Sequence, residues 1–252
     1  MCEWWRTFFG SDSFFLFSDD HEMAADAGKE AAGVARILSL TSESQVLDIG
    51  CGWGRHCVAL AGIGVQMVGL DITERMVEEA RRRAALETTR AECTFCLGDF
   101  RSLPFGQGSF DAVISMHTSL GFSEQDEDDV KTFQEARRVL RPGGHFLIDM
   151  ANYFRRPPYQ KQCKSRGCLR LLEEKWFDYE TRRVRVRWQV YEGNSCVEDW
   201  AIGWRAFAPE EITGELLRLG FADVRSCGDF GGRRFDADTE RMIVIGRTDA
   251  SA

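Results

Sequence analysis

From residue 46 to residue 150 the chain alternates short apolar runs with helical stretches, and this rhythm restricts the fold more than any other feature. VLDIG (46–50), QMVGLD (66–71), CTFCLGD (93–99), SFDAVISMH (109–117) and HFLIDM (145–150) read as strands. GRHCVALAGIG (54–64), TERMVEEARRRAAL (73–86) and residues 124–140 read as helices between them. Thr73 stands where it can cap its helix, with acidic residues early and arginines late. RPGG (141–144) reads as a stop and turn. Strands that alternate with helices need right-handed crossovers, so the pattern predicts an α/β fold: a doubly wound, parallel sheet covered on both faces.

An Ala-rich helix over 24–40 precedes this series. After it, PEEITGELLRLG (209–220) is a further helix with Pro209 near its start and Gly220 past its end, and FADVRSC (221–227) and RMIVIGR (241–247) are two late strands. Residues 152–208 break the alternation. CLRLLEEKWFDY, RRVRVRWQVYE and CVEDWAIGWRAF read as three strands of a small antiparallel β insertion. The insertion is basic, with eleven Lys/Arg against four Asp/Glu from Tyr153 to Val190.

The turn after the first strand carries the chemistry. Residues 46–54 read VLDIGCGWG. Glycines there let backbone N–H groups approach a ligand closely. A dinucleotide site needs G-x-G-x-x-G, but the third place holds Arg55, and Gly54 comes one residue early. No GK[ST] is present, which excludes a phosphate-binding P-loop.

The pattern D-x-G-x-G-x-G over Asp48, Gly50, Gly52 and Gly54 resembles the first motif of the class I (Rossmann-like) S-adenosylmethionine (SAM) dependent methyltransferases. Asp71, closing the second strand, resembles the acidic residue that takes the ribose hydroxyls, a task suited to a carboxylate's two acceptor oxygens. GDF (98–100) resembles the segment beside the adenine, where Asp99 would accept from the amino group. SFDAVISM and LRPGGHFLID resemble the later motifs, so the likeness covers 46–150 and extends to the 209–247 tail.

That resemblance implies a mostly parallel seven-stranded sheet with an antiparallel last strand and SAM across the carboxyl ends of the first strands. The cofactor-binding residues expected on it are Asp48, Gly50, Cys51, Gly52, Asp71, Ile72, Asp99, Phe100 and Met116. Residues 1–252 would form one methyltransferase domain.

Methyl transfer from a sulfonium needs alignment and exclusion of water more than it needs a universal catalytic residue. The candidate general base is His117, in SMHTSLGF at the end of the fourth strand; the plainer reading is that it orients a ligand or packs. His56 reads as structural or as a partner for the cofactor's carboxylate end. The N-terminal aromatics, from Trp4 to Phe17, suggest that residues 1–40 form a lid and helix region. Phe14, Phe15, Asn152 and Tyr153 are the expected substrate contacts, with 152–208 capping the acceptor site. Arg183, Arg185 and Arg187 alternate with apolar residues, so they form either a solvated face or part of a cap for an anionic or polar acceptor.

The net charge of −8 disfavours nucleic acid or an anionic membrane as partner. The N-terminus lacks signal-peptide features, and nine cysteines without a framework pattern suggest reduced thiols, hence a cytoplasmic enzyme. Cys93 and Cys96 form an isolated CxxC within a strand, read as buried small side chains, with no metal expected. The function expected is transfer of a methyl group to N or O of a small-molecule metabolite. The alternatives are an RNA or protein methyltransferase that uses the basic insertion and a non-catalytic SAM-binding regulator.

Overall fold

The structure is a computed structural model that describes residues 3–18, 20–156 and 158–250. Five strands follow in chain order: β1 (Gln45–Ile49), β2 (Gln66–Asp71), β3 (Cys93–Leu97), β4 (Phe110–Ser115) and β5 (Leu140–Ala151). Helices α4 (Arg55–Gly62), α5 (Glu74–Leu86) and α6 (Asp126–Val139) connect them. The four-stranded insertion consists of β6 (Gln160–Arg166), β7 (Leu169–Asp178), β8 (Arg183–Glu192) and β9 (Ser195–Arg205). α7 (Pro209–Arg218), β10 (Phe221–Cys227) and β11 (Arg241–Thr248) close the chain.

The main sheet has the order β10-β11-β5-β4-β1-β2-β3. β1 pairs in parallel with both β2 and β4, so the strand order reverses there. Ligands of open α/β sheets bind in the crevice that such a reversal opens. β11 is antiparallel to both β5 and β10. The central strands are apolar on both faces because helices cover both: Val46, Leu47 and Ile49 of β1 and Ala112, Val113 and Ile114 of β4 are fully buried. One core cluster joins β1 and β4 to α6 and α7, and the other joins them to α4, α5 and α3 (Asp20–Ile37).

Three features depart from the sequence reading. The insertion has four strands, because QKQCKSR pairs with β7 as an edge strand. RPGG lies at the start of β5, where the Gly143 N–H donates to the Asp249 carbonyl. Thr73 occupies the N-cap position of α5 but makes no side-chain cap; instead, Asp71 accepts from its backbone N–H at 2.9 Å.

The N-terminus forms two short helices, α1 (Trp4–Phe8) and α2 (Asp12–Phe17), the second capped by Ser11 accepting from the Phe14 N–H. Phe8 and Phe17 are buried against Leu171, Trp188 and Val190 of the inserted sheet. The N-terminal helices and the insertion therefore share one apolar core, separate from the two that fill the main domain.

Candidate active site

A cavity of about 590 Å³ opens at the carboxyl ends of β1 to β4. Its floor is the turn after β1. Gly50 and Gly52 hold φ of 71° and 53°, in the left-handed region that glycine alone adopts freely. A Cβ on Gly50 would come within 2.8 Å of Ser119, whereas one on Gly52 would meet nothing within 4 Å. The Gly52 backbone is therefore open for close approach.

Three carboxylates line this floor. Asp48 is buried; among the described residues its Oδ1 has no hydrogen-bond partner, and the Cys57 thiol donates to its Oδ2 at 3.4 Å. Burial pushes its pKa up to about 7. Asp71 accepts from the Gly52 N–H and the Thr73 N–H, both at 2.9 Å, so its two oxygens are oriented by the turn they face; burial outweighs these bonds and raises its pKa. Asp99 is held by Arg101 at 2.6 Å and by Arg6 of α1 at 3.1 Å. Burial opposes its charge, but the Arg101 hydrogen bonds win and keep its carboxyl below the usual range.

Gly50, Cys51, Ile72, Phe100 and Met116 line the same cavity, so all nine residues expected to meet the cofactor converge there. His117 lines it too. Both His117 and Thr118 carry positive φ, of 56° and 61°. Asp149, 1% exposed, fixes this strained pair: its carboxylate accepts from the His117 N–H at 2.8 Å, and its carbonyl accepts from the Thr118 N–H. Arg241 donates to the same carboxylate and lies 3.5 Å from His117 Nδ1. The imidazole is open to the cavity yet enclosed by protein atoms. That enclosure and the fields of Arg55 and Arg241 lower its pKa to about 4, leaving the ring neutral at pH 7.

His56 is buried, 2.7 Å from Glu30. Burial lowers its pKa despite this bond, so the neutral ring donates to an ionised Glu30. Burial opposes the Glu30 charge, yet the His56 hydrogen bond holds it at about 2.

Aromatic rings form the roof: Trp5, Phe9, Phe14 and Phe17 from the N-terminus, Phe122 from the loop after β4, and Trp188 from β8. Phe14 thus sits where expected. Phe15 does not line the cavity: its ring lies under the Arg75 guanidinium at 4.0 Å and beside Trp53 at 6.3 Å. Asn152 and Tyr153 line a second cavity instead. Asn152 is 3% exposed, and its amide is spent on the carbonyls of Asp236 and Thr239.

Nor do Arg183, Arg185 and Arg187 face either cavity. Arg183 is buried against the loop after β4, Arg185 pairs with Glu124 at 2.8 Å, and Arg187 pairs with Asp199 at 2.9 Å. Cys93 and Cys96 lie in β3, and the eight described cysteines are free thiols. Among the described residues no cluster of His, Cys, Asp and Glu could hold a metal ion, and none of the helices is long and apolar enough to cross a membrane.

The polar groups of the cavity that the sequence reading missed include the following three. Asp129, at the start of α6, accepts from the Gly121 N–H with Oδ1, while its Oδ2 is buried without a partner; burial pushes its pKa up to about 7. Trp188 Nε1 is likewise buried without a partner among the described residues. Glu173 of β7 is the third. Asp129 lies in a run of four acidic residues that reads as an ordinary helix start, and the other two lie on strands whose pairing decides which way they face.

A seven-stranded sheet with this strand order, a glycine turn at its reversal and carboxylates at successive strand tips define a class I, SAM-dependent methyltransferase. Residues 46–144 match the family model of a methyltransferase domain. The chain is 25% identical over 223 residues to a Bacillus subtilis protein with the name "Putative methyltransferase YqeM", a match that covers 81% of this chain and 84% of that one. It is 32% identical over 116 residues to 27-O-demethylrifamycin SV methyltransferase of Amycolatopsis mediterranei, covering 46% and 41% of the two chains. Among solved structures, the CcbJ methyltransferase of Streptomyces caelestis superposes with a TM-score of 0.73 at 24% identity, covering 89% and 90%.

Proposed function

We propose that this protein transfers the methyl group of SAM to a nitrogen or oxygen atom of a small-molecule metabolite held under the aromatic roof. The observation that carries this reading is the single cavity in which the open Gly52 backbone, the Asp71 carboxylate, the His117 imidazole and six aromatic rings meet. A relative named for a small natural-product acceptor supports it.

SAM supplies an electrophilic methyl on a sulfonium, with an uncharged thioether as leaving group. The protein's task is to bind, align and keep water out. Asp71, oriented by the N–H groups of Gly52 and Thr73, is suited to accept from two vicinal ribose hydroxyls. Asp48, with an unpartnered buried oxygen, can satisfy it on a donor of the bound cofactor. Asp99 is placed for an exocyclic amine, but Arg101 and Arg6 occupy both of its oxygens, so one of them must release it for the amine to bind. The electron-rich ring faces suit a sulfonium and an apolar acceptor.

Residues 1–40 act as lid and helix region, and 152–208 cap the acceptor. α1 is tied across the cavity by two ion pairs, Arg6–Asp99 and Glu3–Arg101. His117 takes or orients the acceptor's proton: it is neutral, fixed by Asp149, and needs no prior deprotonation at pH 7. Replacing it by Asn is expected to lower kcat about a hundredfold or more with SAM affinity unchanged. Equal kcat in wild type and His117→Asn removes it from the chemistry.

The reading as a whole is tested by incubating the protein with methyl-labelled SAM and fractionated metabolites and identifying the labelled product by mass spectrometry. Label found only on RNA or protein would overturn it. Asp71→Ala should weaken SAM binding by about tenfold or more in calorimetry, through loss of a charge-assisted hydrogen bond worth about 1.5–3 kcal/mol. Unaltered affinity would displace Asp71 from the ribose.

A further inference from the structure

The second cavity, of about 450 Å³, lies between the end of β5 with its following loop and the inserted sheet. Thr118, next to His117, forms part of the wall of both cavities. Four cations line the second one. Two are neutralised: Arg205 pairs with Asp126 and Glu211 at 2.9 and 2.8 Å, and Arg155 approaches Glu240 at 3.5 Å. The other two, Arg156 and Lys175, make no ion pair among the described residues and rest on aromatic rings.

The Arg156 guanidinium lies 4.9 Å from the Tyr153 ring, 5.3 Å from Phe177 and 5.6 Å from Tyr179. Lys175 Nζ lies 5.1 Å from the Trp204 ring. Ring faces attract a cation but accept its N–H groups poorly, so both groups have lost part of their hydration without gaining an anionic partner. Partial burial accordingly lowers the Lys175 pKa. An oxyanion entering here would gain two charge-assisted interactions.

We propose that this cavity binds an oxyanion, the phosphate or carboxylate group of the methyl acceptor, through Arg156 and Lys175. The proposal rests on the small-molecule reading: the shared wall at Thr118 lets one molecule present its reacting atom near His117 and its charged end between the two sheets. It also gives Tyr153 a function, that of holding Arg156 rather than touching the reacting atom.

The test uses the full chain at constant ionic strength. Inorganic phosphate and acetate are titrated into wild type, Arg156→Gln, Lys175→Met and the double variant, and SAM is titrated separately into each. Wild type is expected to bind at least one of the two anions at millimolar concentration, with the stronger of them reporting which group the site takes. The double variant should bind at least tenfold more weakly with SAM affinity unchanged. The same anion should inhibit transfer of labelled methyl to the product found in the metabolite fractions, and inhibition should be lost in the double variant.

Equal anion binding by wild type and double variant, or none by wild type, overturns the site. Anion binding without effect on transfer overturns its link to the acceptor. Failure to bind SAM with anion binding intact would instead sink the methyltransferase reading, so the two failures are distinguishable.

Discussion

Asp48 carries the least compensated charge of the site. It is 1% exposed, and its pKa of about 7 stands well above the usual 3.8 for an aspartate. The folded state therefore holds its proton more tightly than the unfolded chain. The stability this confers is present below about pH 4 and is lost as pH rises toward 7, by at most about 4 kcal/mol. Asp48→Asn removes the titration. Unfolding free energies from urea melts at pH 4, 5.5 and 7 should decline more steeply for wild type than for the variant. Parallel profiles would mean that the carboxylate is ionised in the native protein, paired with a donor.

At the scale of elements, α1 and α2 are too short to show a periodicity, yet they close the site. Their apolar faces are keyed into β8, with Phe8 5.4 Å from Trp188 edge to face, and Glu3 and Arg6 strap α1 to the loop after β3. The strap ion pairs are partly exposed, so removing both should cost about 1–2 kcal/mol. If opening of α1 limits cofactor release, Glu3→Gln combined with Arg6→Gln should speed SAM dissociation in stopped flow about five- to thirtyfold. Unchanged dissociation would show that α1 is plain packing.

This also explains what could be read in advance. The strands of the main sheet announced themselves because burial on both faces makes them continuous apolar runs, and the site residues at their tips came with the glycine turn. β6 was silent because six of its seven residues are exposed, and a strand wet on both faces has no alternation to read. Arg185 and Arg187 left two readings open for a related reason: alternation says that they point away from the apolar face, but not that Glu124 and Asp199 await them there. Asn152 misled because tertiary carbonyls, which no local pattern encodes, absorb its amide.

For the whole molecule, the decisive feature is that the cavity lies where two sheets meet, so its shape depends on how firmly they are joined. Arg183 makes that joint. Its side chain is buried and donates to the carbonyls of Gly121 and Ser123 in the loop after β4, and the Arg205 N–H donates to the same Gly121 carbonyl at 2.8 Å. Glu124 lies 3.4 Å from its guanidinium. Replacing Arg183 by Leu takes a donor from the Ser123 carbonyl, leaves the Gly121 carbonyl with the Arg205 N–H alone and leaves Glu124 with Arg185 alone. Leaving a buried acceptor without its donor costs about 1–3 kcal/mol. In a domain of this size that lowers Tm by roughly 2–12 °C. The loss should be uneven. Trp4, Trp5, Trp188, Trp200 and Trp204 lie in the inserted sheet or in the helices packed on it, so tryptophan fluorescence reports mainly on the joint, whereas far-UV circular dichroism reports on all elements. In Arg183→Leu the fluorescence transition should precede the circular dichroism transition, and kcat should fall even at temperatures where the main sheet is intact. Coincident transitions with a lowered Tm would show instead that insertion and main sheet unfold as one cooperative unit, with Arg183 contributing stability but no separate control of the site.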